Sequence, residues 1–414
     1  MTRLLLLIPT TSYRVSDFLE AAHRLGVEVA VGSNRRQVLE KYSDGRTVTL
    51  NFRNLDKGAA EIVDYARAHP LKAVVPVDDD TAVLAAKASA ALGLPHNLPA
   101  SVEAARNKHR LRTLLAEAGL PSPEFSLLPV QDDPVRAARE VTFPCVLKPL
   151  ALSASRGVIR ADDEAAFVTA FHRIVKILKQ PDVAALGELA DHILVEGYIP
   201  GAEVTLEGLL DRGRLNVLAL FDKPDPLEGP YFEETIYVTP SRLPKTVQQD
   251  IAAATRRAVA ALGLQDGPIH AEFRINDHGP WAIEIAARSI GGLCSRVLRF
   301  GTGIRLEELI LRHALGLPIE SLERERRPAG VMMMPIPRAG ILEEVRGVKE
   351  ALEVPGATEV IITMPMGQKV TPLPEGNKYL GFLFARHDTP EAVEAALREA
   401  HRRIDVVIEP ATAS

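Results

Sequence analysis

The sequence predicts an α/β region followed by α+β regions, and three observations carry that reading. Over residues 1–97, short apolar runs alternate with amphipathic stretches, the pattern of a parallel sheet with helices on its faces. Farther along the alternation gives way to hairpins, with turns at Asp211–Arg214 and Asn276–Gly279 that each hold a glycine for a positive φ. The segment 328–414 then carries strands and an amphipathic helix of its own. At 414 residues, the chain has room for two to four domains of roughly 100–200 residues.

Leu4–Pro9, Val27–Gly32, Thr47–Asn51 and Ala73–Val77 read as buried strands, with helices over 14–25, 56–68 and 80–92 between them. Residues 1–97 are therefore expected to form a Rossmann-like domain. Its first turn, Pro9-Thr-Thr-Ser-Tyr13, lacks glycine. The close backbone approach to a pyrophosphate that dinucleotide binding needs is thus missing. Asp78, Asp79 and Asp80 lead into a helix and read as capping and dipole compensation in preference to a metal site. A run rich in Pro, Leu and Ala over 93–104 sets a boundary near 97. A helix over 103–118 follows, stopped by Gly119, Pro121 and Pro123. Strand Cys145–Pro149 and a long helix over 163–179 belong to the next stretch, within a domain spanning 98–320. The last domain, 321–414, has strands at Glu359–Thr363 and Leu380–Ala385 and a helix over 390–403. Met332, Met333 and Met334 read as apolar strand.

Composition narrows the function classes. Hydrophobic residues at 46% and charged residues at 25% are ordinary for a globular chain. The formal charge is −5 and no dense Lys/Arg block occurs, so nucleic-acid or membrane-surface binding lacks electrostatic support. Arg324, Arg326 and Arg327 interleave with Glu323 and Glu325 and read as a solvated linker. Cys145 and Cys294 fit neither a disulfide framework nor metal-ligand spacing. The apolar run Leu4–Ile8 is shorter than the roughly 7–15 residues of a signal core. No run reaches the roughly 18 apolar residues of a membrane span. A cytoplasmic protein is expected.

Three elements carry chemistry. Glu272 in Ile269-His-Ala-Glu-Phe-Arg274 and Glu284 in Trp281-Ala-Ile-Glu-Ile-Ala286 can face each other across a hairpin. Two like charges at that spacing suit a hard cation such as Mg²⁺ between them, or a solvent-facing pair with separate salt bridges. Lys148 ends an apolar strand and precedes a loop of small and hydroxyl residues. That loop suits a phosphate cradle, and a plain surface loop has the same composition. Glu196 ends the apolar strand Ile193–Glu196, a Pro-Gly turn follows, and Glu203 opens the next strand, as at an inter-domain bend.

In this order, with Lys108 upstream in Ala105-Arg-Asn-Lys-His-Arg-Leu-Arg112, these elements resemble the ATP-grasp superfamily over nearly the whole chain. The resemblance implies an N-terminal pre-ATP-grasp domain and an ATP-grasp domain with a mobile lid over about 124–195. It also implies a C-terminal extension like that of biotin carboxylase-like and L-amino acid ligase members. Carried over by residue, Lys108 and Lys148 contact ATP phosphates, and the loop with Ser153, Ser155 and Gly157 closes over them. Glu196 holds the adenine amino group, the Tyr198–Ile199 backbone completes that contact, and Glu203 takes the ribose hydroxyls. Glu272 and Glu284 bind Mg²⁺, with Mn²⁺ as an alternative. Arg288 grips the substrate carboxylate and then the acyl phosphate. His270 orients substrate, acts as a base or is structural.

Two departures stand out: Ala286 replaces an Asn that usually ligates the metal, and the lid loop is poor in glycine. The implied activity is ATP-dependent ligation of a carboxylate to an amine through an acyl phosphate. Small-molecule substrates, amino acids in particular, follow from the likeness to dipeptide-forming L-amino acid ligases, and a homodimer is allowed. The alternatives are a bicarbonate-using carboxylating enzyme of the biotin carboxylase or purine-biosynthesis kind, and an ATP-binding sensor without turnover. Cys294 reads as a buried thiol, Arg296 as a candidate substrate contact, and Gly229–Glu234 as a candidate wall of the acceptor pocket.

Overall fold

The apolar runs at the N-terminus form a parallel sheet of β1 (Arg3–Leu7), β2 (Glu28–Ser33), β3 (Thr47–Thr49) and β4 (Ala73–Pro76), in the order β3-β2-β1-β4. Helix α1 (Val15–Leu25) links β1 to β2, α2 (Leu55–Ala68) links β3 to β4, and α3 (Asp79–Leu92) follows β4. The computed structural model describes residues 3–10, 12–35, 43 and 46–410. Leu4–Leu7 are all fully buried because successive side chains meet different cores. Leu5 and Leu7 join Ile62 and Leu84 beneath α2 and α3. Leu4 and Leu6 join Phe18 of α1 together with Phe300 and Leu309 from far downstream.

The stretch expected as one helix over 103–118 is two, α4 (Pro99–Arg106) and α5 (Lys108–Glu117). Asn107 breaks it. Its extended backbone (φ −91°, ψ 107°) frees the side chain to accept from the amides of His109 and Arg110, a capping arrangement that an uninterrupted helix would forbid. The break also leaves the Lys108 amide free to donate to Leu150 O at 2.9 Å.

Residues 125–197 fold around their own sheet. It contains β5 (Phe125–Pro129), β6 (Cys145–Pro149), β7 (Ile159–Ala161) and β8 (His192–Gly197) in the order β5-β8-β6-β7. The helices are α6 (Pro134–Ala138), α7 (Glu164–Leu178) and α8 (Pro181–Ala184). Helix α7 turns Phe167, Phe171, Ile174 and Leu178 inward at helical spacing, against Leu147 and Ile193 of the sheet.

The rest of the chain builds an eight-stranded sheet. Its strands are β9 (Ala202–Asp211), β10 (Arg214–Lys223), β11 (Ile236–Thr239), β12 (Gly267–Asn276), β13 (Gly279–Ala286), β14 (Ala329–Met334), β16 (Ala357–Ile362) and β18 (Gly381–Arg386). They run in the order β13-β12-β9-β10-β11-β14-β18-β16. Strand β14 carries the buried methionines and pairs with β11, Met332 opposite Ile236. The sheet therefore runs on across residue 321. On one face α4, α5 and α9 (Lys245–Leu262) cover it. Parts of the other face meet β1, α1 and α10 (Leu306–Ala314). A smaller sheet of β15 (Gly340–Arg346), β17 (Lys369–Val370) and β19 (Asp405–Glu409) completes the C-terminal region with α11 (Val348–Leu352) and α12 (Pro390–Arg402).

Candidate active site

A cleft of about 320 Å³ opens where these bodies meet. One end is lined by Lys108, Lys148, Ser153, Ser155 and the strip Glu196–Ile199. Glu203, Glu234, His270, Glu272, Glu284 and Arg288 line it from the large sheet. Tyr13, Asp78, Met333, Tyr379 and Phe382 complete the lining, with Tyr13 and Tyr379 packed edge-on against Phe382, so all three regions of the chain contribute. Gly157 does not line the cleft.

Lys148 reaches the cleft because β6 carries it, 5% exposed, to the strand's end. Its Nζ lies 2.6 Å from Glu196 Oε2. Arg112 of α5 grips the same carboxylate through Nε at 2.7 Å and a second nitrogen at 3.2 Å. Arg112 also donates to Ala282 O and Ile283 O on β13, tying α5, β8 and the sheet edge together. Burial alone would raise the Glu196 pKa, but Arg112 and Lys148 outweigh it and draw it down to about 2. Burial lowers the Lys148 pKa, and Glu196 only partly restores it. Both oxygens of Glu196, the residue expected on the adenine amino group, accept from Arg112 and Lys148, and the carboxylate thereby orients Lys148. The backbone beside it remains. The Tyr198 amide donates to Pro144 O and the Ile199 carbonyl accepts from Arg274, while the Ile199 amide meets no acceptor among the described residues.

On the hairpin, Glu272 lies directly opposite Glu284, and the register shifts immediately afterwards. Glu203, Glu234 and Glu272 each place a ligand atom within 4.8 Å of the others. Lys223 sits among them, with Nζ 2.7 Å from Glu203, 2.5 Å from Glu234 and 3.3 Å from Glu272. Burial disfavours its charge, but the three carboxylates outweigh burial and raise its pKa well above the ordinary lysine value. Burial and the neighbouring Glu272 push Glu234 up to about 7. Glu203, expected on the ribose hydroxyls, has one oxygen on Lys223 and the other on Arg274 at 3.2 Å. Lys223 thus fills the space among these three carboxylates, and a hard divalent cation fits the facing pair Glu272 and Glu284 instead.

His270 is 3% exposed and bridges two acids, Glu207 at Nδ1 and Glu272 at Nε2. Burial would lower its pKa, but Glu207 above all raises it to about 9. A proton-loaded imidazole beside Glu272 suits charge balance and positioning better than proton abstraction. Ala286 stands opposite His270 in the register, so the position that lacks the expected Asn is a methyl facing an imidazole.

Arg288 donates to Ser289 O and lies 3.8 Å from Glu284 and 4.0 Å from Asp79. Lys108 spans Glu284 at 3.2 Å and Leu152 O at 2.8 Å, coupling the hairpin acid to the loop that bears the serines. In that loop Ala154 (φ 54°) and Ser155 (φ 53°) both occupy the left-handed region, strain of the kind that gathers at functional sites. Gly157 (φ 74°) gives its amide to Pro374 O at 2.9 Å, so it shapes the loop and does not offer that donor to phosphate.

Other expectations shift too. Asp78 makes no side-chain capping bond, and Asp79 and Asp80 pair with Arg106. Arg296 pairs with Asp17 and Glu359 and does not line the cleft. Cys294 lines the cleft, but burial pushes its thiol pKa far up, against a nucleophile. Sequence reasoning missed Arg112, Lys223 and Glu207. Lys223 had a signal: it repeats the Lys148 pattern, a lysine that ends an apolar strand before a proline.

A cleft framed by two buried lysines, an acidic hairpin and a strained hydroxyl loop, beneath a separate small sheet, is that of ATP-dependent carboxylate–amine ligases. The chain belongs to the ATP-grasp superfamily: the ATP-grasp N-terminal domain matches residues 19–96 and the ATP-grasp domain matches 141–297. The L-amino acid ligase C-terminal domain 2 matches 332–409. The crystal structure of an L-amino acid ligase from Bacillus licheniformis superposes with a TM-score of 0.82 at 26% identity, covering 99% of each chain. An uncharacterised protein, y4rH, of Sinorhizobium fredii is 23% identical over 99% of this chain and 84% of its own. The alanine–anticapsin ligase of Bacillus subtilis is 30% identical over 55% of this chain and 50% of its own, so the match spans half of that relative.

Proposed function

We propose that the protein joins two amino acids, activating the carboxylate of one as an acyl phosphate with ATP and passing it to the amine of the other. What carries this reading is the combination of an ATP-grasp cleft with a C-terminal region matching L-amino acid ligases over residues 332–409. ATP enters with its adenine against the Ile199 amide and its phosphates toward Lys148, Lys108 and the Ser153–Ser155 loop. Glu272 and Glu284 hold Mg²⁺, which supplies charge neutralisation on the phosphate oxygens. Glu203 and Glu234 hold Lys223 beside Glu272, a fixed positive charge next to the metal ligands.

Arg288 holds the acid's carboxylate so that one oxygen attacks the γ-phosphorus in line while ADP leaves. Such transfer is mostly positioning and electrostatics, which a preorganised set of buried charges provides. The acceptor nitrogen then attacks the acyl carbon, phosphate departs, and the amine's proton is lost to solvent. The apolar wall of Met333, Tyr379 and Phe382 keeps that end of the cleft suited to amino-acid side chains and poor in water.

The test is phosphate release from ATP and Mg²⁺ across single and paired L-amino acids, with bicarbonate in parallel. Pair-dependent release with a dipeptide mass supports the reading, and release with bicarbonate alone replaces it with a carboxylating enzyme. In the same assay Glu284→Gln is expected to reduce turnover at least 100-fold with an unchanged circular dichroism spectrum, since it removes a charged ligand from a cation whose stabilisation of the transferring phosphoryl group is worth several kcal/mol. A variant retaining most of the rate would remove Glu284 from the metal site.

A further inference from the structure

We infer that Glu375, from the C-terminal region, is a positioning residue that latches the phosphate loop shut over the reaction. This rests on the ligase reading above. Glu375 sits on the loop Thr371–Tyr379, far from β6 and β7 in sequence, yet it meets the lid at several points. Its carboxylate takes both Nε and a terminal nitrogen of Arg173 on α7, the latter at 2.8 Å. Its backbone carbonyl accepts from Arg156 Nε at 3.1 Å. One residue before it, Pro374 O accepts the Gly157 amide at 2.9 Å. Arg156 and Gly157 immediately follow Ser153–Ser155, so what Glu375 and Pro374 hold is the C-terminal end of the loop that faces the phosphates.

The latch is stiff on its own side. The Gly376 amide bonds back to Pro372 O at 2.9 Å, and a Cβ at Gly376 would stand 1.9 Å from Thr371 O. Arg173 also donates to the Tyr231 hydroxyl, and Ile159 bridges Tyr231, so the loop at 229–231 braces the same contact. The Arg173 guanidinium holds the Glu375 carboxyl below the usual carboxylate range. The pair is therefore charged throughout the neutral range.

Past the turn, Asn377, Lys378 and Tyr379 line the cleft. One short loop thus touches the phosphate cradle at one end and the substrate wall at the other. With the latch formed, an acyl phosphate is shielded and its acyl carbon meets the acceptor nitrogen. With it broken, water competes for the same carbon, giving the free acid and phosphate in place of the amide.

The experiment uses the full chain with Mg²⁺ and the non-hydrolysable analogue AMP-PNP, and follows amide hydrogen exchange in wild type, Glu375→Ala, Arg173→Ala and the double variant. Exchange over 153–158 is expected to be at least tenfold faster in each single variant, no faster in the double than in either single, and unchanged over 167–178. Wild-type rates in Glu375→Ala, or additive effects in the double variant, would overturn the latch. Phosphate released per amide formed gives the second reading: about one in wild type and several-fold higher in both single variants. An unchanged ratio also counts against the latch. If wild type forms no amide with any amino-acid pair, the ligase reading fails while the exchange measurement still decides the latch.

Discussion

His270 illustrates how much a single residue's surroundings can invert its chemistry. A histidine two positions before a cleft glutamate invites the role of base, yet Glu207 and Glu272 clamp both ring nitrogens and hold its pKa near 9. A folded-state pKa raised above the ordinary 6.5 means that the imidazolium contributes stability in full below about pH 6.5, and that the contribution is lost as pH rises through about 9. The shift corresponds to ~3 kcal/mol at most. In metal-free protein, the melting temperature of wild type relative to His270→Asn is therefore expected to fall between pH 6.5 and 9.5. The imidazole ¹⁵N signals at pH 8 should be those of a protonated ring; a titration midpoint near 6.5 would show that the clamp does not form. Sequence legibility at this scale was uneven. Lys148 near the end of β6 and Glu272 facing Glu284 across the hairpin were marked by local pattern, whereas Lys108 and Arg288 were legible only through the family resemblance; all five line the cleft. Arg112 and Glu207 were unreadable because their partners, Glu196 and His270, lie 84 and 63 residues away, and only the folded topology brings them together.

Elements were read best where one periodicity ran unbroken and worst where a capping side chain overrode it. Helix α7 and the hairpin of β12 and β13 fall close to their expected spans. The α4–α5 break was missed because Asn107 costs little in an amphipathic helix pattern, whereas its side chain captures two amides in the fold. The loop after β6 is poor in glycine, so its turns are not made by a run of glycines. Instead it places non-glycine residues in the left-handed region at 154 and 155 and reserves Gly157 for a packing need. A Cβ there would lie 2.8 Å from Pro149 Cγ, on top of the left-handed backbone. Gly157→Ala is thus expected to cost ~1–2 kcal/mol and to weaken ATP binding several-fold by moving Ser153 and Ser155. Calorimetric titration with ATP and a thermal melt check both, and unchanged ATP affinity would mean that the loop finds its shape without this glycine.

For the whole molecule, the class of fold was legible because strand–helix alternation and hairpin spacing are local signals that survive into the architecture. The sheet order was not, since β11 meets β14 only after β12 and β13 have been laid down on the opposite flank. That pairing makes the C-terminal region part of the central sheet. A chain ending at residue 328 would lose β14, β18 and β16, leaving the β11 edge unpaired and uncovering Val331, Met333, Phe382 and Phe384 contacts with the N-terminal core. Such a fragment is expected to be insoluble or to lack a cooperative melt; a soluble fragment with a sharp transition would show that the five remaining strands suffice.

The β11–β14 seam also limits how this chain can exchange parts with its relatives. A graft of residues 329–409 from another ligase would deliver part of a shared sheet together with the wall of the substrate cleft. Its backbone would have to meet Ile236–Thr239 in register, and its side chains would have to fill a core whose other members come from β1 and α10. Substrate range and foldability are inherited together across that seam, so variation in what the cleft accepts is easier to reach one wall residue at a time than by trading the segment that carries them.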